Sequence, residues 1–400
     1  MTPEVRERIE QIRNGIVPEG YKKTAVGISP DDWRENRLSE VAEFLDDRRI
    51  PIKESERIQG TYPYYGASGV IDHVAGYIFD GEYILLGEDG ANIIERSTPL
   101  AFRVSGKCWI NNHAHVLSPK DGYHIDYLTN YLESLSYVKY NSGTAQPKLN
   151  QDTCQKIPVV CGSYTEQERI ADILSAQDTI IELKEKQLTE KQRQKKYLMQ
   201  QLLTGRKRLP GFEDEWIFVR ANTIFKNVTD KKHDGRLEVL SATQDRGIIP
   251  RSQVDIDIKY AEESLSGYKK VIKGNFVISL RSFQGGVEYS EYTGIVSPAY
   301  TVLSSTYPIE NNYYKQYFKS TDYINRLNVA VYGIRDGKQI SYDDFGRMKI
   351  PYPPLGEQRA IATVLSTADR EIELLSKDIK QEKKKKKALM QLLLTGIVRV

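Results

Sequence analysis

The stretch Glu166 to Gly205 occurs a second time, without a gap, as Glu357 to Gly396, since 357 − 166 and 396 − 205 both equal 191. About half of the paired positions are identical, and self-similarity at a fixed spacing constrains a fold more than any single motif. The chain is therefore two half-molecules in tandem. Each copy carries an apolar stripe at period seven, Leu174, Ile181, Leu188 and Leu202 in the first and Leu365, Ile372, Ile379 and Leu393 in the second. Both stripes are interrupted at the same place, by Lys195 and Lys386. Side chains seven apart share a helix face, so the pattern predicts a coiled-coil seam thickened by Ile173, Ile180 and Val364. The natural partner for each seam is the other copy, and about 40 residues of helix make a rod of roughly 60 Å.

A chain of 400 residues is too long for one ordinary core and suits two domains plus the helices. Its 57 Lys and Arg against 54 Asp and Glu leave a net charge of +3, so local rather than global charge must locate any anionic partner. Cys108, Cys154 and Cys161 lack metal-ligand spacing, and neither a signal peptide nor a long apolar run is present. A soluble cytoplasmic protein with no membrane partner is the expectation. Tyr is frequent, 26 against 10 Phe, which suits half-wet interfaces or simply sheet positions.

Residues 1–30 read as an N-terminal helix and lead-in, the helix covering 3–14 and stopping at Gly15. The punctuation after it, Pro18, Gly20 and Tyr21, resembles Pro210, Gly211 and Phe212 after the first long repeat. Both lead into an acid-tryptophan signal, Asp31-Asp32-Trp33 and Asp214-Glu215-Trp216. A circularly permuted pseudo-dimer would look like this; an unrelated amphipathic helix is the competing reading. Residues 31–160 and 209–352 show short apolar runs broken by Gly, Pro, Asn and Asp, each with one helical segment, and predict two α+β (mixed α/β) heads. Residues 161–208 and 353–400 are the long helices. Thr165 with Glu168 fits a capping box at the first entrance, and Thr204-Gly205 and Thr395-Gly396 fit left-handed exits.

These features together resemble the specificity subunits of type I restriction-modification enzymes. The carriers are Pro354-Leu355-Gly356-Glu357-Gln358 at the second helix entrance, matched only in Glu166-Gln167 at the first, and the LMQxLLTG exits. Gly211-Phe212-Glu213-Asp214-Glu215-Trp216 and the head-closing segments 143–149 and 333–340 complete the set. The resemblance implies two target-recognition domains joined by two long antiparallel helices. Each head would read one half of a bipartite, asymmetric double-stranded DNA site, and the helices would set the spacer. It further implies a non-catalytic DNA-binding subunit that docks two methyltransferase (modification) subunits and then restriction/translocase subunits. S-adenosylmethionine, ATP and Mg would belong to those partners, with no cofactor in this chain.

The residues themselves agree with an absence of catalysis, since no GxxxxGK[ST] loop, GxGxxG turn or nucleophile-base constellation occurs. Pro353-Pro354 follows Tyr352 rather than an Asn, Asp or Ser that can hold an amino group. His113 and His115 flank Ala114, but alternate strand residues point to opposite faces, so no metal is expected there.

DNA reading needs side chains matched to base edges and cations for phosphates. In the second head the densest run is Leu280-Arg281-Ser282-Phe283-Gln284, where Arg281 suits guanine and Gln284 adenine. Ser282, Thr243, Arg246, Arg251, Arg335 and Lys338 join it, without a choice between base and phosphate. In the first head the candidates are Tyr64, Tyr65 and Ser68 in a Gly-rich loop, Gln146 and Lys148 beside it, and Arg48, Arg49 and Lys53 for phosphates. A salt-bridged surface role is the alternative for each cation. The matching strand end, Leu86-Gly87-Glu88-Asp89-Gly90, is acidic, which suits cytosine contact, pairing with a neighbouring base-reading Arg, or a structural turn at Gly90. The lysine run 383–387 reads as a charged helix face rather than a DNA clamp. A coiled-coil scaffold with two protein-binding heads is the remaining alternative function.

Overall fold

The computed structural model describes residues 2–143, 146–254, 262–280, 286–330 and 340–400. Five main helices are labelled here: α1 (Pro3–Arg13), α2 (Ile125–Ser134), α3 (Tyr164–Leu202), α4 (Asn311–Tyr317) and α5 (Leu355–Leu393). The chain divides into two compact units, one of Met1–Glu185 with Lys377–Val400 and one of Lys186–Ser376. Both divisions fall inside the repeated helices, and at equivalent positions, because 376 − 185 is again 191. Each unit therefore owns a head, the first half of one long helix and the second half of the other.

Within each unit the two half-helices run antiparallel, and charges join them. In the first unit Lys184 pairs with Asp378 at 2.7 Å and Glu382 at 2.8 Å, and Lys386 pairs with Asp178 at 2.6 Å. In the second, Lys191 pairs with Glu371 at 2.7 Å and Lys195 with Asp369 at 2.5 Å. Lys195–Asp369 and Lys386–Asp178 are the same pair under the repeat, so the lysines that interrupt the apolar stripe are the ones that cross-link it. The stripe itself is buried most completely at its ends, and against the heads. Leu174 and Leu393 belong to the first head's core, Leu202 and Leu365 to the second's. Ile181 and Ile379 are buried, whereas Leu188 and Ile372 are only half-buried, as expected where charged pairs occupy the middle. Ile173 and Ile180 do not thicken the seam; they lie exposed, as do Leu183 and Leu374. Of the lysine run, Lys383 meets Glu185, Lys385 meets Glu382 and Lys386 meets Asp178, which makes it a charged helix face.

Each helix entrance is a buried clasp. Glu357, fully buried, accepts a two-pronged contact from Arg208 at 2.6 and 2.7 Å and the Trp216 indole N–H at 2.7 Å. Glu166 does the same with Arg399 at 2.5 and 2.9 Å and Trp33 at 3.0 Å, and Arg399 also grips Asp32. The neighbouring glutamine is equally tied. Gln167 accepts from the His124 N–H at 3.0 Å and donates to the Gly162 carbonyl, and Gln358 accepts from the Glu310 N–H at 2.9 Å and donates to Pro353. The Glu-Gln dipeptide is thus the socket of each frame, and each arginine arrives three residues after an exit glycine. Those glycines, Gly205 and Gly396, both have φ of 71° and press against Trp216 and Trp33. The capping box is not used; the Ser163 hydroxyl accepts from the Glu166 N–H instead, because α3 starts one residue before Thr165.

α1 stops at Gly15, φ 74°, as its sequence requires. Arg8 then donates to the Ile397 carbonyl and Tyr21 to the Gly396 carbonyl, both at 3.0 Å. The N-terminal segment and the exit of α5 are thereby joined within the first unit, as the wrap-around reading expects.

Both heads close in the same way. Arg34–Arg37 pairs antiparallel with Pro158–Cys161, and Ile217–Arg220 with Lys349–Tyr352, so each head's first strand meets its last. The first head is built on a six-stranded sheet in the order Ala42–Phe44, Ala114–Pro119, Phe79–Gly87, Ala101–Ile110, Gln59–Gly66, Gly69–Val74. The second has a four-stranded antiparallel sheet, Phe225–Val228, Thr301–Ser305, Phe276–Ile278, Glu288–Tyr289. α2 and α4 carry tyrosines into these cores in matching register, Tyr127 and Tyr131 against Tyr313 and Tyr317, each pair 186 apart. Many of the tyrosines are thus core residues.

Removing the carboxylate of Glu357 strands a half-buried guanidinium and indole N–H, and leaving such donors unsatisfied costs about 1 to 3 kcal/mol. Glu357→Ala is expected to lower the unfolding free energy of the second unit by that much. Lys191→Ala, which breaks a half-exposed pair, is expected to cost under about 1 kcal/mol. Hydrogen exchange resolved to each unit checks both values.

Candidate nucleic-acid interface

In the first head, five chain segments meet at one end of the sheet. They are the turn 45–49, the Gly-rich turn 66–69, the strand end 87–90, the stretch 111–115 and the head-closing segment 146–149. The Gly-rich turn is seated on Gly87, where an added Cβ would come 2.8 Å from the Ala67 carbonyl. The closing segment is stitched on by Leu149 N–H to Glu88 carbonyl at 2.7 Å and Gly90 N–H to Pro147 carbonyl at 3.0 Å.

A charged hub holds these segments. Arg49 donates to Glu88 at 2.7 Å and to the Ala114 carbonyl at 2.8 Å, and sits 3.3 Å from Asp46. Lys148 reaches the other Glu88 oxygen at 3.3 Å. His115, almost fully buried, faces Asp46 with Nδ1 at 2.6 Å and the Leu149 carbonyl with Nε2 at 2.9 Å. Both ring nitrogens face oxygen acceptors, so the ring is held doubly protonated. Burial alone would lower its pKa, but hydrogen bonds to Asp46 and Cys154 outweigh burial and push it up to about 10. Asp46, Glu88 and His115 place three metal-type ligand atoms within 4.8 Å of one another. The chemistry of that set does not fit a cation: Arg49 already occupies it, Lys148 adds charge, and the second His115 nitrogen is committed to Leu149.

The hub redistributes the first head's candidates. Arg49 is spent on Asp46 and Glu88 and has only 12% of its side chain exposed, so its place is in support of the surface. Tyr64 is a correction of the same kind: it points into the core at 1% exposure, its hydroxyl accepting from the Ile52 N–H. Its neighbour Tyr65 is half-buried against Phe102. Arg48 stacks over Phe79 yet is exposed, and Lys53, Ser68, Gln146 and Lys148 are exposed too. The acidic strand end is thus structural, with Asp89 bound to His113 at 2.8 Å.

In the second head, Leu240–Thr243 and Gly247–Pro250 form a hairpin whose turn carries Arg246. Thr243 donates through its hydroxyl to the Gly247 carbonyl at 2.9 Å and accepts from the Arg246 N–H at 3.1 Å, which makes Thr243 the brace of the turn. Arg246, half-exposed, also donates to the Gln253 carbonyl at 3.1 Å. Arg251 begins the short 3-10 turn that follows. Arg281, Ser282, Gln284, Arg335 and Lys338 lie outside the described residues. Missed from the sequence were the hub acids Asp46 and Glu88 as organisers and the clasp arginines. The arginines had a signal, since Arg208 and Arg399 are 191 apart.

The three cysteines are buried and free, and burial pushes the Cys108 and Cys161 thiols up to about 11. No helix among the described residues is long and apolar enough to cross a membrane.

Residues 30–191 and 217–384 match the family described as "Type I restriction modification DNA specificity domain". The chain is similar to an inferred type I restriction enzyme specificity subunit of Haemophilus influenzae, 27% identical over 84% of this chain and 86% of the relative. It is similar also to the MjaVIII type I restriction enzyme specificity subunit of Methanocaldococcus jannaschii, 24% identical over 93% of this chain and 94% of the relative. In fold it resembles the type I restriction-modification S subunit of M. genitalium, with a TM-score of 0.58 at 12% identity over 90% and 96% of the two chains.

A group whose folded pKa is raised stabilises below its unfolded value and loses that contribution as pH rises through the folded one. The His115 contribution is therefore complete below about pH 6.5 and gone above about pH 10, with a size on the order of 2 to 4 kcal/mol. Unfolding of the first unit followed across that window is expected to lose stability in the wild type from about pH 6.5 upward, while His115→Gln is weaker and level up to about pH 8, beyond which the raised Cys108 and Cys161 thiols add a slope common to both proteins.

Proposed function

We propose a DNA-reading role from one established point: the chain belongs to the type I restriction-modification DNA specificity family. Each head reads one half of a bipartite, asymmetric double-stranded site, and the continuous long helices set the spacer between the halves. The observation that carries this reading is one closure and one clasp repeated in both units, with unlike side chains where the recognition turns lie. The first head presents Ser68, Gln146 and Lys148 at a charge-locked sheet end, and carries Arg48, stacked over Phe79, and Lys53, beside Glu56, exposed on the same head. The second presents Arg246 on a hairpin turn and Arg251 in the 3-10 turn that follows the hairpin.

The chain itself is non-catalytic and works in the cytoplasm. Two modification subunits dock on the repeated helices, whose exposed Leu183 and Leu374 are repeat-equivalent, and restriction/translocase subunits join that complex. S-adenosylmethionine, ATP and Mg are held by those partners.

Selection from randomised duplex DNA, followed by footprinting of the full chain with its modification subunits, tests the reading. Two protected patches of unrelated sequence separated by an unprotected gap are expected. Arg246→Ala should weaken one patch by about 1 to 3 kcal/mol and leave the other unchanged. A palindromic site, or binding without sequence preference, would contradict the reading, and the second outcome would favour a scaffold whose heads bind proteins.

A further inference from the structure

The second head buries a carboxylate that neither its core nor its clasp requires. Glu288, 2% exposed, lies on the edge strand Glu288–Tyr289, and one of its oxygens meets Lys319 at 2.5 Å. Its other oxygen is buried without a hydrogen-bond partner among the described residues. Lys319, just past α4, also donates to the Gln244 carbonyl at 3.1 Å. Gln244 sits in the hairpin turn that carries Arg246. The same strand meets that hairpin from a second side, because Ile248 bridges to Ser290 and a Cβ on Gly247 would come 2.6 Å from the Tyr289 carbonyl. The charged groups facing Glu288 among the described residues are Lys319 and Asp245.

At the equivalent place in the first head the charges are reversed and the linkage is different. Glu133 stands where Lys319 stands, 186 residues earlier, and it pairs with Arg96 at 2.8 Å while accepting from the Leu100 and Ala101 N–H groups. That pair ties α2 to the start of a sheet strand. The pair in the second head reaches a recognition turn instead. An apolar pair of the same volume would fill the space as well, and buried ion pairs often add little stability over such a replacement. What only the charged pair does is anchor the Gln244 main chain.

We propose that Lys319 and Glu288 are positioning residues for DNA reading by the second head, holding the Thr243–Gly247 turn so that Arg246 meets its base or phosphate in register. The proposal rests on the reading of that turn as a DNA contact. It carries a pH dependence confined to one head. Burial pushes the Glu288 carboxyl up to about 6, with Lys319 opposing the rise and Asp245 adding to it. Below that value Glu288 is neutral, its ion pair with Lys319 is lost and the tether of the turn is loosened. Above it the pair is intact.

The test is footprinting of the full chain on its selected site from about pH 7.5 to about pH 5.5, with the first head's half-site as control in the same lane. The wild type is expected to lose about fourfold in protection of the second half-site on acidification, the limit for one carboxyl with a pKa of about 6 over that window and equivalent to about 0.8 kcal/mol, with the first half-site unchanged. Glu288→Gln, which preserves shape but never ionises, should show the weakened second patch at every pH. Lys319→Arg should keep the tight state at neutral pH, and Lys319→Met should not. If Glu288→Gln binds as tightly as wild type and keeps its pH profile, or if both patches fade together in the wild type, the proposal is overturned. If Arg246→Ala leaves the second patch intact, the turn is not the contact and the underlying reading fails. If Arg246→Ala removes the patch while Lys319→Met and Glu288→Gln do not weaken it, the turn is the contact and the positioning role alone fails.

Discussion

One buried carboxylate at the start of each long helix holds the rest in place. Glu166 and Glu357 each accept from an indole and a guanidinium, and these donors come from different parts of the chain: the acid-tryptophan lead-in of a head and the exit arm of the opposite helix. A helix N-terminus favours a negative group, so the carboxylate is stabilised where it stands and its ligands are drawn to it. Three separate segments are thereby brought to one point in each unit. The cross-helix pairs run in half-exposed surroundings and contribute alignment more than stability. The clasps, with their acids out of water, are costly to break, because losing one partner leaves the others unsatisfied.

On that constant frame the two heads diverge where strands end. Their first and last strands pair identically, and their head helices offer tyrosines at matching positions. Yet the first head neutralises its acidic sheet end with Arg49, Lys148 and a charged His115, while the second hangs an arginine turn on a buried Lys319–Glu288 pair. Glu133 and Lys319 show the divergence most plainly, being the same position with opposite charge. A frame that must match itself tolerates little change, whereas loops that read different ligands are free to vary.

Most of the frame was legible from sequence because helices announce themselves locally. The 191-residue spacing, the period-seven stripe, the exit glycines and the wrap-around of residues 3–33 are all patterns along the chain. The heads were harder for a physical reason. Tyr64 and Tyr65 sit at an irregularity in strand pairing, and only that tertiary pairing leaves the first fully buried and the second half-buried. Arg49 looked like any exposed cation until Glu88, 39 residues away, was brought beside it. The capping box failed through a shift of one residue in the helix start, a margin within which helix ends commonly vary. Ile173 and Ile180 looked like seam residues because a stripe reports its mean face and not its width.

The central claim is that recognition is divided between two heads carried on a frame that neither of them alters. Its most direct measurement exchanges residues 221–348, the second head between its closing strands, for the corresponding segment of another family member, and then repeats the DNA selection. The account predicts that one half of the selected site changes while the other half and the spacer stay as they were. A change in both halves, or in the spacer alone, would contradict it.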